Sequence, residues 1–169
     1  LHDALPISCL VNPLACHETE LVLHPATSPR RIAVVGAGPA GMTAAITAAR
    51  RGHSVTLFEK SARIGGQLNM ARVIPGKEEF NGLVDWFATM LTRSGVDLRL
   101  GSEASAEILA GYDEVILATG VRPRDPGIPG QDGPNVLSYI DLLAGKAPAG
   151  RRVAVIGAGG IGFDVATFL

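Results

Sequence analysis

Two glycine-rich segments, each preceded by a short apolar run, constrain the fold of this chain more than any other feature. They are residues 36–41 (GAGPAG) and residues 157–162 (GAGGIG). Glycines at this spacing let a strand turn sharply into a helix and let the backbone approach a pyrophosphate, whose charge then meets unpaired N–H groups at the positive end of the helix. The sequence therefore predicts two sites for dinucleotides.

The first segment is accompanied by the other residues that such a site needs. Gly36 permits the tight turn, Gly38 the approach of a pyrophosphate, and Gly41 the close packing of the helix on the strand. Pro39 stands where a helix tolerates proline, because its missing N–H would have no intrahelical partner there. Glu59 follows the next predicted strand, where a carboxylate can accept hydrogen bonds from ribose hydroxyls. Together these residues favour a nucleotide site over an ordinary glycine turn beside a solvated glutamate.

Hydrophobic periodicity predicts an alternation of strands and helices. The strands are predicted at 32–35, 54–58, 96–100, 114–118 and 152–156, and the fourth of them is a continuous apolar run of the kind that a buried strand shows. One helix is predicted at 39–51. A second helix has one apolar face, formed by Phe80, Leu83, Val84, Phe87 and Leu91. The residues before Arg31 contain several prolines and no periodicity, which indicates an extended arm.

Small residues at two further places favour a flavin in the first site. Ala118-Thr119-Gly120 ends a predicted strand, and Ile64-Gly65-Gly66-Gln67 forms a loop on the other side, so both let the chain pass close to a bulky cofactor. With the second glycine segment behind them, they resemble the two-dinucleotide flavoprotein disulfide reductase superfamily, whose first unit holds FAD and whose second holds NAD(P)H. The resemblance implies an α/β fold, a Rossmann-like FAD-binding domain with the start of an inserted NAD(P)-binding Rossmann domain.

The chain is predicted to divide into four segments. Residues 1–7 resemble a translated sequencing adapter and are excluded from the fold. Residues 8–30 form the arm, 31–147 an FAD-binding domain that is incomplete at its C-terminus, and 148–169 the first strand and helix start of an NAD(P)H-binding domain. The residue that would separate NADH from NADPH follows a second strand that this unit does not show, so the residues leave that choice open. Asp164 is predicted to lie on a helix face rather than to bind ribose.

Charge and cysteine content exclude several functional classes. A net charge of -1 provides no positive field for nucleic acid or an anionic membrane. The uncharged stretch 32–49 contains three glycines and a proline, so it favours a strand, turn and helix over a membrane span. Two cysteines cannot build a disulfide framework, which favours a cytoplasmic protein. The Cys and His residues of the arm match no zinc-binding spacing.

Five short segments resemble one family closely. They are residues 8–13 (SCLVNP), 15–18 (ACHE), 74–80 (IPGKEEF), 136–139 (VLSY) and 159–164 (GGIGFD). The family is the bacterial NADPH-dependent 2,4-dienoyl-CoA reductases, of the Old Yellow Enzyme class with an appended FAD/NADPH module. The likeness spans residues 8–169, so the chain is predicted to be an internal fragment of such an enzyme.

The resemblance implies an electron path in the full-length parent. NADPH reduces FAD, single electrons cross a 4Fe-4S cluster to FMN on a β/α barrel, and FMN reduces a 2,4-dienoyl-CoA in the β-oxidation of unsaturated fatty acids. Cys9 matches one cluster ligand, while its three partners, the barrel and the FMN would lie upstream. Cys16 would be an ordinary buried thiol, and the isolated fragment would be inactive on the substrate.

Three other assignments stay open at this stage. Two are sister enzymes of the same class, a 2-enoate reductase and a trimethylamine dehydrogenase-like enzyme. The third is a stand-alone FAD/NAD(P)H electron-transfer subunit.

The resemblance adds Arg72, and the backbone near Ala104, to the predicted FAD contacts. No catalytic residue is predicted, and the one predicted metal ligand is Cys9. The predicted cofactor-binding residues are Gly36, Gly38, Pro39, Ala40, Gly41, Glu59, Gly66, Gln67, Arg72, Ala104, Thr119, Gly120, Gly157, Gly159 and Gly162.

Overall fold

A four-stranded parallel sheet organises the molecule. The computed structural model describes Cys9 and residues 11–169, so the adapter-like residues 1–7 lie outside the described residues. The strands are β1 (Arg31–Val35), β2 (Ser54–Glu59), β3 (Asp97–Leu100) and β4 (Glu114–Leu117), in the order β3-β2-β1-β4. The helices are α1 (Pro39–Arg50), α2 (Leu68–Ala71), α3 (Glu79–Arg93), α4 (Ala106–Leu109), α5 (Tyr139–Leu143) and α6 (Gly160–Phe168).

The predicted βαβ unit is confirmed, and it holds the core. β1 pairs in parallel with β2 on one side and with β4 on the other, so α1 crosses over one face of the sheet. The main apolar cluster joins this face to α1 and α3. Its largest members are Ile32, Val34, Met42, Ile46, Leu57, Phe87 and Leu91.

Helix α3 covers the sheet with the apolar face that its periodicity predicts. Val84, Phe87 and Leu91 are buried, while Phe80 and Leu83 are half-buried at its edge. Residues at spacings of three and four lie on one side of a helix, which is why these five point the same way. The helix thereby packs beside α1 in the same apolar cluster.

Two predictions about the later elements are wrong, and the structure adds one helix that no pattern in the sequence predicts. β4 is an edge strand and not a buried one, and Leu117 is 72% exposed. Residues 152–156 form no strand, because no described segment pairs with them and an extended segment is a strand only when it has a ladder partner. Residues 139–143, left without assignment by the sequence, form α5, whose start is capped by the Ser138 hydroxyl accepting from the Asp141 N–H at 3.0 Å.

The described part of the arm runs over the surface with turns and without helix or strand. Cys16 is exposed, so the prediction of a buried thiol is wrong; it lies in a surface turn with a left-handed φ of 65°. Arg30 and Glu114 form an ion pair that ties the end of the arm to β4. Among the described helices, none has the length and apolar character needed to cross a membrane.

Two adjacent aromatic residues of α3 test the assignment of the core. Phe87 is 5% exposed and Trp86 is 50% exposed. We expect Phe87→Ala to lower the free energy of unfolding by about 3 kcal/mol or more, because it leaves a cavity between α3 and α1. Trp86→Ala is the matched control and should cost less than about 1 kcal/mol. Urea denaturation followed by circular dichroism measures both, and equal losses would contradict this packing.

Candidate functional site

The first glycine turn brings three chain segments into contact at the carboxyl end of β1. The Gly36 N–H donates to the Phe58 carbonyl at 2.8 Å, and the φ of Gly36 is +105°. A Cβ on Gly36 would lie closer than 3.0 Å to the carbonyl oxygen of Ala118, and a Cβ on Gly41 equally close to that of Gly36. Both positions therefore exclude any side chain, and the helix starts directly against the strand.

Gly38 differs from its two neighbouring glycines, because its Cβ position faces open space. Its φ of -75° and ψ of 177° are ordinary extended backbone, and no atom lies within 4 Å of an added Cβ. Gly38 is the N-cap of α1 and Pro39 is its first residue, followed by Ala40; no side chain caps this end of the helix. The uncapped N–H groups and the free space beside them fit a diphosphate.

Glu59 lies at the carboxyl end of β2 and is 8% exposed. One carboxylate oxygen accepts from the Ala37 N–H at 2.8 Å and the other from the Ser61 N–H at 2.8 Å. Burial raises the pKa of Glu59, but these two backbone hydrogen bonds, the Ser61 hydroxyl and the charge of Lys60 together outweigh it, so the pKa lies below its ordinary value. A carboxylate offers about four acceptor positions, so Glu59 retains capacity for ribose hydroxyls.

The Gly65-Gly66 loop closes over the same turn. The Gly65 N–H donates to the Ala37 carbonyl at 2.8 Å, and an added Cβ on Gly66 would lie 3.0 Å from the Cα of Gly38. Asn69 fixes the loop from behind, where its side-chain amide donates to the Ile64 carbonyl at 2.8 Å. The Asn69 Oδ1 is buried and has no hydrogen-bond partner among the described residues. Sequence reasoning missed Asn69, which no motif marks.

The remaining predicted contacts of the first site lie around this centre at different distances along the sheet edge. The Gln67 side chain donates to the Val121 carbonyl at 3.0 Å, which links the loop to the segment after β4 containing Thr119 and Gly120. Ala104 follows β3, where the Ser102 N–H donates to the Glu59 carbonyl at 2.9 Å. Arg72 ends α2 and is half-buried. The carboxyl ends of β2, β3 and β4 thus place Gln67, Ala104, Thr119 and Gly120 at one edge of the sheet.

The second glycine turn repeats the geometry of the first. Gly157 has a φ of +109°, and Gly159 has a φ of -85° and a ψ of -178°. An added Cβ on Gly162 would lie closer than 3.0 Å to the carbonyl oxygen of Gly157, as Gly41 does to Gly36. The surroundings differ, since a Cβ added to Gly157 would meet no atom within 4 Å in the described chain, whereas one added to Gly36 would overlap the Ala118 carbonyl. The turn is therefore built locally, without the paired strand that supports the first one.

Asp164 lies on α6, and its carboxylate meets the Lys77 ammonium at 2.6 and 2.7 Å. The sequence predicts a helix-face position for Asp164, but it gives no signal for the contact with Lys77.

Neither a cluster of metal-ligating side chains nor the cleft beside α1 defines a second centre in the described part of the chain. No group of three or more His, Cys, Asp or Glu side chains there could hold a metal ion, and Cys9 is exposed. A single thiol does not fit a 4Fe-4S cluster, which needs four ligands. A cleft of about 640 Å³ lies along α1, with mostly apolar walls that include Thr43, Phe87 and Ile116. A diphosphate requires N–H donors, so the glycine turn is the better site.

A parallel sheet with two glycine turns at helix N-termini defines a dinucleotide-binding protein of the Rossmann-like class. Residues 30–169 match the family of pyridine nucleotide-disulphide oxidoreductases, and the chain belongs to this family. Membership supports FAD and NAD(P)H as cofactors, and the α/β fold that the sequence predicts is confirmed.

Two curated proteins and one solved structure match nearly the whole of this chain. An NADH oxidase of Thermoanaerobacter brockii is 44% identical over 98% of this chain and 26% of its own length. A cinnamate reductase of Clostridium sporogenes is 39% identical over 100% of this chain and 25% of its own. The solved structure of a 2-naphthoyl-CoA reductase is 34% identical with a TM-score of 0.90, over 95% of this chain and 25% of that one. The chain thus spans about a quarter of the length of these relatives.

Gly41 and Gly38 lie in the same turn, but only Gly41 is in close contact with the strand. We expect Gly41→Ala to lower the free energy of unfolding by about 2 kcal/mol or more, because its methyl group would overlap the Gly36 carbonyl. Gly38→Ala is the matched control, with open space and ordinary dihedral angles, and should change stability by less than about 1 kcal/mol. Thermal unfolding of both variants provides the comparison. Similar stability of the two would refute the close helix–strand approach.

Glu59 makes stability depend on pH. Because its pKa is lower in the folded than in the unfolded chain, it contributes stability above its ordinary value of 4.5, and that contribution is lost as the pH falls through the folded pKa. We expect Glu59→Gln to be less stable than wild type at pH 7, with a difference that shrinks below about pH 4.5. Urea denaturation from pH 7 to pH 3.5 measures this. A difference that does not change with pH would contradict the paired carboxylate.

Proposed function

We propose that this chain is the FAD- and NADPH-binding electron-transfer part of an oxidoreductase that reduces 2,4-dienoyl-CoA. The observation that carries the proposal is the repeated glycine turn at the start of α1 and of α6, completed at the first site by Glu59. The proposed division follows the sequence, with 31–147 holding FAD and 148–169 beginning the NAD(P)H unit. Residues 8–30 would lead in from the cluster region, with Cys9 as one cluster ligand. We place the protein in the cytoplasm.

Each part of the first site has a separate task toward FAD. The turn of residues 36–41 offers N–H groups and the positive end of α1 to the pyrophosphate. Glu59 accepts hydrogen bonds from the ribose hydroxyls. The hydrogen bond that it accepts from the Ala37 N–H holds the turn in place before any ligand binds. The loop of Gly66 and Gln67, with Thr119 and Gly120 opposite, lets the flavin lie close to the backbone. When bound, NAD(P)H supplies a hydride that FAD accepts, and FAD can release the electrons singly.

A 2-enoate reductase is the second candidate for the whole protein. The cinnamate reductase of Clostridium sporogenes, a relative at 39% identity, favours it. The 2-naphthoyl-CoA reductase structure, with its TM-score of 0.90, favours a thioester instead. Turnover of a 2,4-dienoyl-CoA against a free 2-enoate by the complete gene product distinguishes the two. A chain that passes electrons from NADPH to a separate protein but turns over neither substrate would instead be an electron-transfer subunit.

FAD binding tests the proposed function directly. We expect FAD to change its absorbance spectrum on titration with this chain, and Gly38→Asp to weaken binding about a hundredfold or more. The aspartate would place a negative charge in the open space beside the helix N-terminus, where the pyrophosphate should lie. Gly82→Asp is a matched control, since Gly82 is exposed on α3, with ordinary backbone and open space beside it. Identical titrations for wild type and Gly38→Asp would rule out the assigned site.

A further inference from the structure

The contact between Lys77 and Asp164 joins two distant parts of the chain. The Lys77 ammonium bonds both carboxylate oxygens of Asp164, at 2.6 and 2.7 Å, across a separation of 87 residues. The two side chains are 35% and 28% exposed, so water screens them only partly. Lys77 lies in the loop before α3. Asp164 lies in α6, just after the second glycine-rich segment.

Lys77 stands on a rigid base. Its N–H donates to the Ile74 carbonyl at 3.0 Å, and its carbonyl accepts from the Phe80 N–H at 3.2 Å. Ile74 is buried, and α3 packs on the sheet through Phe87. The backbone of Lys77 is therefore held by the loop before α3 and by the helix that packs on the sheet.

Among the described residues, helix α6 has little apolar packing to fix its direction. Val165 is buried, but Ile161 and Phe163 are exposed. The helix also contacts α5. Where apolar contacts are few, a local element opens at low cost, so a single partly buried ion pair has a large influence on its position.

We propose that the Lys77–Asp164 ion pair is a positioning pair, which holds the second glycine turn in a fixed orientation to the first. This inference rests on the proposed function, because the orientation matters for electron transfer only if the two turns hold NAD(P)H and FAD. Neither residue touches the reacting groups in this proposal. Their role is to limit the arrangements from which a hydride can pass, since transfer requires donor and acceptor to be held together.

The chain contains a matched control pair. Lys146 and Asp141 also form a lysine–aspartate contact, at 3.2 Å, but it joins α5 to the turn directly after it. Both of its side chains are more exposed than those of Lys77 and Asp164. Loss of this local pair removes the same charges without releasing α6 from the loop before α3.

Hydrogen exchange measured by mass spectrometry tests the ion pair without any cofactor. We expect Lys77→Met to speed amide exchange in peptides covering residues 160–169 by about fivefold, because methionine keeps the apolar stem but loses the charge. Lys146→Met should leave these peptides unchanged. The exchanged pair, Lys77→Asp with Asp164→Lys, should recover at least half of the protection. Wild-type exchange rates in Lys77→Met would overturn the proposal.

The complete gene product, loaded with FAD, tests the role in electron transfer. We expect Lys77→Met to slow the reduction of bound FAD by NADPH at least fivefold in rapid-mixing absorbance measurements, with FAD affinity unchanged. An unchanged rate, in a variant whose exchange is faster, would overturn the positioning role alone. A wild-type protein that does not bind FAD would instead overturn the proposed function. The two failures are therefore distinguishable.

Discussion

The approach of helix α1 to the strand before it is the constraint on which the other features depend. There is no room for a methyl group between Gly41 and the Gly36 carbonyl, or between Gly36 and the Ala118 carbonyl. This contact sets the start of α1 at the sheet edge, where the Ala37 N–H reaches the Glu59 carboxylate. The Gly65 N–H then donates to the carbonyl of the same residue, Ala37, so that the Gly65 loop closes over the turn. Hydrogen bonds of the backbone, rather than packed side chains, hold these segments together. The sheet edge therefore stays open to a ligand.

The sequence predicts the first half of the fold well, because the signals there are local. The period of α3, with Phe87 and Leu91 on one face, and the apolar runs of β1 and β2 each specify an element without reference to the rest of the chain. The errors concern features that depend on a partner. The burial of β4 requires a neighbour on its outer side, and residues 152–156 require a strand to pair with. An apolar run in the sequence does not show whether such a neighbouring strand is present.

The features of the candidate site also fall into those that the local sequence predicts and those that depend on packing between elements. The second glycine turn has the dihedral angles of the first although no strand supports it, so turn geometry follows from the glycines themselves. The partners of Glu59 and the contact of Lys77 with Asp164 depend on how separate elements pack, and no spacing in the sequence marks them. Side chains that position others are the hardest to predict, since their residue types recur throughout any surface.

The edge position of β4 among the described strands has a consequence for how the sheet can be extended. No described segment pairs with its outer side, and Val115 and Leu117 are exposed. An extended segment that reached this edge would gain backbone hydrogen bonds and apolar burial in the same step. The charges of Arg30 and Glu114 lie at the start of the strand and oppose apolar association there. Beyond them, the outer side of β4 carries the backbone groups to which a further strand of the same sheet would pair.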